Sequence, residues 1–476
     1  MTIDARGRVR ASGGPELTER LEHLDRMRAS SAPPRDERLA PPDAGTAIDV
    51  DVAIVGGGLS LLVAPVLASH GLRVAVFERA RAGVAHREWN ASGPELRALV
   101  DGGILDAEEL ERIVVARYRS GICRFHGGGS WPVTGVLDHA VDAGALLEHV
   151  RALAVARGVV VHDDSTLEAH GEGRDAIAAR FRHGNGGVSN VVARLLVDAR
   201  GASSPYATAD LVCPTVGGVM RGLAPGDAAD EIDPSTGDIL ATIDDADDHG
   251  RQHVWEAFPG RDAQATVYLF HYARAGFGGG LLDLYARFFD ELPRYKRGDA
   301  TLLRPTFGFI PGWSRLTPAP RAPGRRMVLV GDAAARHSPL TMCGFGAMLR
   351  SFAPAAHAIA DAVHRPRALD ALQGRVAHDA SIHAVAGALA AVMASGGLRG
   401  GTLNALLDAA FASLHEAGDA TYGALLRDEM TPRAFVSFLR GTATRAPSVY
   451  RDVLRSLGPS AITRWGARVA YGAIAG

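Results

Sequence analysis

Apolar positions are sparse over the first 48 residues. Residues 15–28 have room for one short helix. The proline-rich strings Ser31-Ala-Pro-Pro34 and Ala40-Pro-Pro42 follow it, so the pattern predicts an arm or tail rather than a domain. The pattern then changes. Residues 51–55 are a buried-type apolar run ending in three glycines, residues 59–70 read as a helix, and residues 73–78 as a second strand, which together make a βαβ unit. Residues 94–117 read as helical, with Pro94 in the first turn and Leu96, Leu99, Ile104, Leu105 and Leu110 at mixed helical spacings around Gly102-Gly103. A helix over 143–157 precedes a strand at 158–162, and a strand over 194–198 ends in Ala-Arg-Gly-Ala-Ser-Ser204. Strands at 239–243, 253–258 and 265–271, with a turn at Asp233-Pro-Ser-Thr-Gly237, predict an antiparallel sheet. Residues 281–292 read as a helix, and beyond Phe345 the chain is nearly all helical.

At 476 residues the chain needs two or three domains. A formal net charge of −2 gives no nucleic-acid footprint. Lys296 is the only lysine, and no glycine loop leads into it, which removes a P-loop. It stands in the charged run Arg294-Tyr-Lys-Arg297, which reads as solvated surface. Cys123, Cys213 and Cys343 are far apart. They form neither a metal-spaced set nor a disulfide framework, which fits a reducing cytoplasm, and the lone Cys123-x-x-His126 does not make a zinc site. The longest uncharged run, residues 384–398, is too short to span a bilayer. The expectation is a cytoplasmic protein, with a C-terminal stretch, Ile462 to Tyr471, that mixes Arg, Trp and Tyr and offers a peripheral membrane contact.

Two segments carry the chemistry. In Val52-Ala-Ile-Val-Gly-Gly-Gly58, Gly56 allows a tight turn, Gly57 lies between, and Gly58 admits a pyrophosphate to the backbone. Glu78, with Arg79 beside it, closes the next strand where an adenosine ribose is held. Leu61 stands where the motif's third glycine is expected. The second segment is Val328-Leu-Val-Gly331-Asp332, which puts a carboxylate at a strand end within reach of ribityl hydroxyls. Pro339 and Gly344-Phe345-Gly346 follow and open a helix whose N-terminus suits the N1–C2=O edge of an isoalloxazine. With Leu196-Val-Asp-Ala-Arg-Gly201 as a third piece, the pattern predicts FAD binding. The expected fold class is α/β. It has an FAD-binding Rossmann-like domain of the glutathione-reductase/p-hydroxybenzoate-hydroxylase type, in two parts at 49–205 and 301–365. An inserted antiparallel sheet for substrate (206–300) and a helical C-terminal region (366–476) complete it.

With these residues in hand, the chain resembles the CruA/CruP-type lycopene cyclases, flavoproteins within the FAD hydroxylase and geranylgeranyl-reductase-like group. The resemblance covers roughly residues 50–475. It rests on Arg87-Glu-Trp-Asn90, Gly102-Gly-Ile-Leu105, Cys123-Arg-Phe-His-Gly127, Trp255-Glu-Ala-Phe-Pro259, Gly331-Asp-Ala-Ala334 and Ser338-Pro-Leu-Thr341 with Cys343-Gly-Phe-Gly346. The family more often has Ser-Phe-Gly-Gly-Phe-Gly where this chain has Thr341-Met-Cys-Gly-Phe-Gly346, which sets Cys343 beside the flavin and opens the choice of substrate. The resemblance implies acid–base cyclisation of a polyene, with reduced flavin required but without net redox.

Such chemistry needs a protonated acid in an apolar pocket. Glu256, between Trp255 and Phe258, is the first candidate, among aromatic faces that exclude water and meet a cation. Glu88 is the second, with a salt bridge to Arg87 as its structural alternative. His126 and His337 lie near cofactor-side motifs and read as structural histidines. A redox enzyme on the same fold, a monooxygenase or reductase drawing on an external reductant, is the second functional expectation. A non-catalytic FAD-binding protein is the third. The expected partner is a hydrophobic small molecule.

Overall fold

Five parallel strands form the centre of the first sheet, in the order Met327–Leu329, Val188–Asp198, Val50–Val55, Val74–Phe77 and Val160–His162. The structure is a computed structural model. It describes residues 4–29, 36–85, 87–207, 209–314, 316–317, 323–335, 340–341, 343–376, 384–398 and 400–475. Side-chain alternation divides the central strand cleanly. Val52 and Ile54 face helices Val63–Ser69, Ala143–Ala156 and Gly344–His364, whereas Ala53 and Val55 face the other way. That second face is covered by a three-stranded meander, in which Ser165–Glu172 pairs antiparallel with Ile177–His183, and Ile177–His183 with the first half of Val188–Asp198.

The second sheet is mostly antiparallel: Gly298–Gly312, Leu211–Leu223, Ala265–Phe270, Val254–Pro259, Thr236–Ala241, Ser120–Arg124 and Ser130–Val133. Thr236–Ala241 and Ser120–Arg124 alone run parallel among these neighbours. Helix Leu281–Tyr295 packs on one face of it. A small three-stranded sheet, Glu88–Ala91, His139–Asp142 and Val114–Arg117, joins the two parts. The C-terminal helices from Ala384–Met393 to Pro459–Ala475 close around Cys123, Phe125 and Val133.

Three elements depart from the sequence pattern. The stretch 94–117 divides into helices Gly93–Asp101 and Ala107–Ile113 followed by strand Val114–Arg117. Gly103 at φ 66 breaks the first helix, Asp106 caps the second in a capping box with Glu109, and β-branched Val114 and Val115 continue as strand. The N-terminal segment is a longer helix than its polarity suggests, Ala5–Ala29 with a break at Gly14. Val9, Leu17 and Leu21 are buried against helix Leu281–Tyr295, and Asp25 accepts from the Leu281 and Leu282 amides at that helix's start. Three apolar anchors suffice to dock it, too few to register as a hydrophobic stripe. Lys296 is not solvated: it is 4% exposed, its Nζ 3.0 Å from Asp238 and donating to the Ala229 and Glu231 carbonyls. Burial lowers its pKa, against the pull of Asp238.

Candidate active site

The glycine loop is shaped by contacts only glycine satisfies. Gly56 has φ 114, and a Cβ there would meet the Ala199 carbonyl oxygen at 2.3 Å, so the loop lies directly on the Asp198–Gly201 turn. A Cβ on Gly57 would strike Ala82 at 2.5 Å. Gly58 is different: among the described residues nothing lies within 4 Å of a Cβ placed there, so its backbone borders open space. Leu61 is fully buried, filling with side chain the helix–strand gap that the motif's third glycine leaves closed. Glu78 caps the loop. Its carboxylate accepts from the Gly57 amide at 2.7 Å and the Ala80 amide at 3.0 Å, and Arg79 is exposed beside it.

The second segment closes onto the first. Gly331, at φ 57, brings a Cβ position to 3.0 Å from Ser60 Oγ in the first segment. Gly344 stands 3.3 Å from Asp332 Oδ1 by the same measure, and a Cβ on Gly346 would overlap Glu95 at 2.6 Å. Glu95 was not legible as a site residue. It is buried, completes a capping box with Ser92 and pairs with Arg350 one and a half turns into helix Gly344–His364, fixing that helix's N-terminus. Cys343, at the N-cap, makes no side-chain cap, so the helix presents its first amides without a capping side chain. Asp332, Gly344 and Phe345 line the adjoining cavity. Open space at Gly58, two glycine-only turns, Glu78 and Asp332 at strand ends and a side-chain-uncapped helix start fit a flavin dinucleotide. Pro339 and His337 lie outside the described residues.

The cavity, of about 330 Å³, lies between this cradle and the open face of the second sheet. Glu256 is in its wall, on strand Val254–Pro259, paired across to Tyr268. Alternation decides which aromatics share that face. Phe258, Tyr268 and Phe270 do, whereas Trp255 turns away and stacks on Tyr295, centroids 4.7 Å apart. The expectation that Trp255 would border the site is therefore corrected by strand geometry. Phe307 and Phe345 add to the cavity wall, with Trp89 tilted against Phe345. Among the described residues Glu256 has neither hydrogen bond nor ion pair, and burial alone pushes its carboxyl up to about 8. At neutral pH it holds a proton. Burial likewise raises the Tyr268 phenol, with Arg87 opposing.

Glu88 lines the same cavity from the joining sheet and is 5% exposed. Its strand register sets it opposite Asp142, and Arg261 bridges the two carboxylates, Nε 3.4 Å from Glu88 and Nη2 2.5 Å from Asp142. Arg304 is 4.0 Å away. The salt bridge expected with Arg87 is absent among the described contacts. Arg87 instead lies over the Tyr268 ring, 5.9 Å from its centroid. Arg261 and Arg304 come from distant sequence and carried no local signal.

Cys343 lines the cavity, and its thiol faces the Asn90 carbonyl at 3.8 Å. Burial pushes it up to about 12, so it is a thiol rather than a thiolate at neutral pH. His126 is exposed away from this cavity, its amide bonded to Thr242. Among the described residues no cluster could hold a metal ion, and no helix is long and apolar enough to cross a membrane. Trp465 rests on Phe435, centroids 5.4 Å apart, and Arg464 bonds the Leu316 carbonyl, so these two residues of the C-terminal stretch pack on the protein itself.

No known protein family matches the chain by sequence, and no curated protein does. Solved structures do. The halogenase PltM, in complex with phloroglucinol and FAD, is 12% identical, with 89% of this chain and 96% of that one covered and a TM-score of 0.60. A geranylgeranyl bacteriochlorophyll reductase-like protein from Thermoplasma acidophilum is 17% identical, covering 85% of this chain and 98% of that one, with a TM-score of 0.58. A flavoprotein/dehydrogenase from Cytophaga hutchinsonii is 14% identical, at 84% and 98% coverage and a TM-score of 0.56. At these identities the likeness establishes the fold: a Rossmann-like α/β domain of the kind found in FAD-dependent enzymes, with an antiparallel sheet and a helical C-terminal region.

Proposed function

We propose that the chain is an FAD-dependent enzyme in which Glu256 acts as general acid on an apolar polyene or isoprenoid. The observation that carries this reading is a carboxyl that, among the described residues, has no partner in an aromatic-walled cavity beside the flavin cradle, where burial pushes its pKa up to about 8. FAD is supported by the cradle and by the FAD-bound halogenase of the same fold. Gly56–Gly58 would take the pyrophosphate, Glu78 the ribose, Asp332 the ribityl chain, and the Gly344 helix start the pyrimidine edge. Bound and reduced, FAD supplies negative charge beside the cavity and a source of electrons.

The residues then act as follows. Glu256 gives its proton to a terminal alkene carbon of the substrate. The carbocation left on the neighbouring carbon closes onto a second double bond, and the Glu256 carboxylate takes a proton back from the ring, which regenerates both an alkene and the acid. The π faces of Phe258 and Phe270 stabilise the positive charge without competing for the proton. At about 330 Å³, near the lower bound for ligand sites, the cavity suits the reacting end of a polyene and not its whole length.

The test is anaerobic incubation of wild-type and Glu256→Gln holoprotein with lycopene in liposomes, flavin oxidised or reduced. The reading expects a cyclised product of unchanged mass from reduced wild type and none from the variant. Turnover retained in Glu256→Gln would remove the acid from this role. A second reading, a flavin oxidoreductase acting on a hydrophobic intermediate with an external reductant, is favoured by the reductase-like, dehydrogenase and halogenase neighbours. Substrate-dependent oxygen uptake or NAD(P)H oxidation distinguishes it.

A further inference from the structure

We propose that the space beside Glu88 is a binding site for an oxyanion headgroup, phosphate in preference to carboxylate, on a substrate whose apolar chain occupies the aromatic cavity. The proposal rests on the reading of that cavity as an apolar-chain site. Arg87, Arg261 and Arg304 line a second space of about 290 Å³ with Glu88, Asp142 and Gln264. Three guanidiniums face two carboxylates, which leaves one net positive charge.

The arginines are unequally engaged. Arg261 is held by Asp142 and Glu88. Arg304, with a side chain 40% exposed, donates one 3.3 Å bond to Gln264 and stands 4.0 Å from Glu88. Among the described residues, the buried Nε–H groups of Arg87 and Arg304 lack acceptors, and the buried Glu88 Oε2 lacks a donor. Native structures leave few such groups unmatched, and here three fall at one place. A guanidinium has only donors and matches an oxyanion in bidentate fashion. A phosphate monoester offers three oxygens to the guanidiniums where a carboxylate offers two, and in its monoanionic form, populated near and below its second pKa of about 6, it keeps a hydroxyl for the unmatched Glu88 oxygen.

The two spaces share the walls Arg87 and Glu88. A molecule with an apolar chain on the aromatic side and a charged head on the arginine side would satisfy both. A plain hydrocarbon would satisfy only the first.

Calorimetric titration of the FAD-loaded protein with octyl phosphate, octanol, nonanoate and NADPH tests this. The proposal expects octyl phosphate to bind at least about ten-fold more tightly than octanol, since one charge-assisted contact is worth that much. Nonanoate should fall between them. The advantage should shrink with added salt, vanish in Arg304→Gln and return in part in Arg304→Lys, with flavin absorbance unchanged. The salt dependence is read on wild type, so the test stands if a variant fails to fold. Equal binding of octyl phosphate and octanol, or an advantage untouched by Arg304→Gln, overturns the headgroup site while leaving the cavity reading intact. Binding of neither octyl compound overturns the cavity reading itself, and this proposal with it. NADPH binding weakened by Arg304→Gln, without a phosphate advantage among the octyl compounds, overturns the proposal and assigns the arginines to a reductant.

Discussion

Glu256 and Glu88 line one cavity in opposite surroundings. Glu256 comes from the middle of a strand, faces Phe258, Tyr268 and Phe270, and among the described residues meets no cation, so desolvation acts on it unopposed. Glu88 is the more buried of the two, at 5% exposed, yet Arg261 reaches it and Arg304 stands near. Depth alone therefore does not choose an acid. The absence of a countercharge does, and on the proposed reading the two glutamates divide the cavity into an acid side at Glu256 and an arginine-lined side at Glu88.

The largest effect that would break this contrast is on turnover. Glu256→Gln should lose at least about a hundred-fold in rate, the range ascribed to general acids, with FAD content and melting behaviour kept. A rate within a few-fold of wild type by product assay would make the two glutamates equivalent. Wild-type activity should also fall as pH rises through about 8, where the proton is lost.

Next is the dependence of stability on pH. The Glu256 carboxyl is raised above its unfolded value, so the folded protein keeps a proton the unfolded chain releases. Its contribution is full below about pH 4 and is lost as pH rises to about 8, by at most about 1.4 kcal/mol per unit. Chemical unfolding of wild type against Glu256→Gln across that window should show the wild type losing ground with pH. Parallel curves would contradict it.

Glu88→Gln should act in the other direction on its surroundings. It leaves Arg261 and Arg304 facing each other without the central charge and should cost roughly 1–2 kcal/mol, below the value for a fully buried pair because both guanidiniums are partly exposed. Urea unfolding measures it, and a stabilised variant would show that the arginines do not need the carboxylate. The smallest effect is at the tip of the hairpin that carries Glu256 and Arg261. Ala263 has φ 55, and Ala263→Gly should add about 1 kcal/mol of stability without altering activity. A destabilised Ala263→Gly would mean that the turn changes shape when relieved.

The cradle was the readable part. The turns at Gly56 and Gly331, the strand end at Glu78 and the helix start at Gly344 are legible in order and spacing because backbone turns and strand ends impose local requirements, and their role in holding FAD belongs to the proposal. Glu256 was readable through the string around it, but the reason first attached to Trp255 was incomplete, since alternation sends that ring to the opposite face. The arginine space was not readable. Arg87 precedes strand Glu88–Ala91, Arg261 lies in the turn after Val254–Pro259 and Arg304 on strand Gly298–Gly312, and they meet only in the folded protein. Glu95 was hidden for the same reason, its role set by Arg350 and Gly346 across the fold. Lys296 and the first helix misled through composition: both are polar segments whose few buried groups are answered by distant partners, Asp238 in one case and Leu281–Tyr295 in the other.

The central claim is that Glu256 is a neutral acid at the pH where the protein works. Infrared difference spectroscopy of wild type minus Glu256→Gln, titrated from pH 6 to 10 with FAD bound, measures it directly. The account predicts a protonated-carboxyl band at pH 7 that disappears with a midpoint of about 8. A carboxylate already present at pH 6 would contradict it.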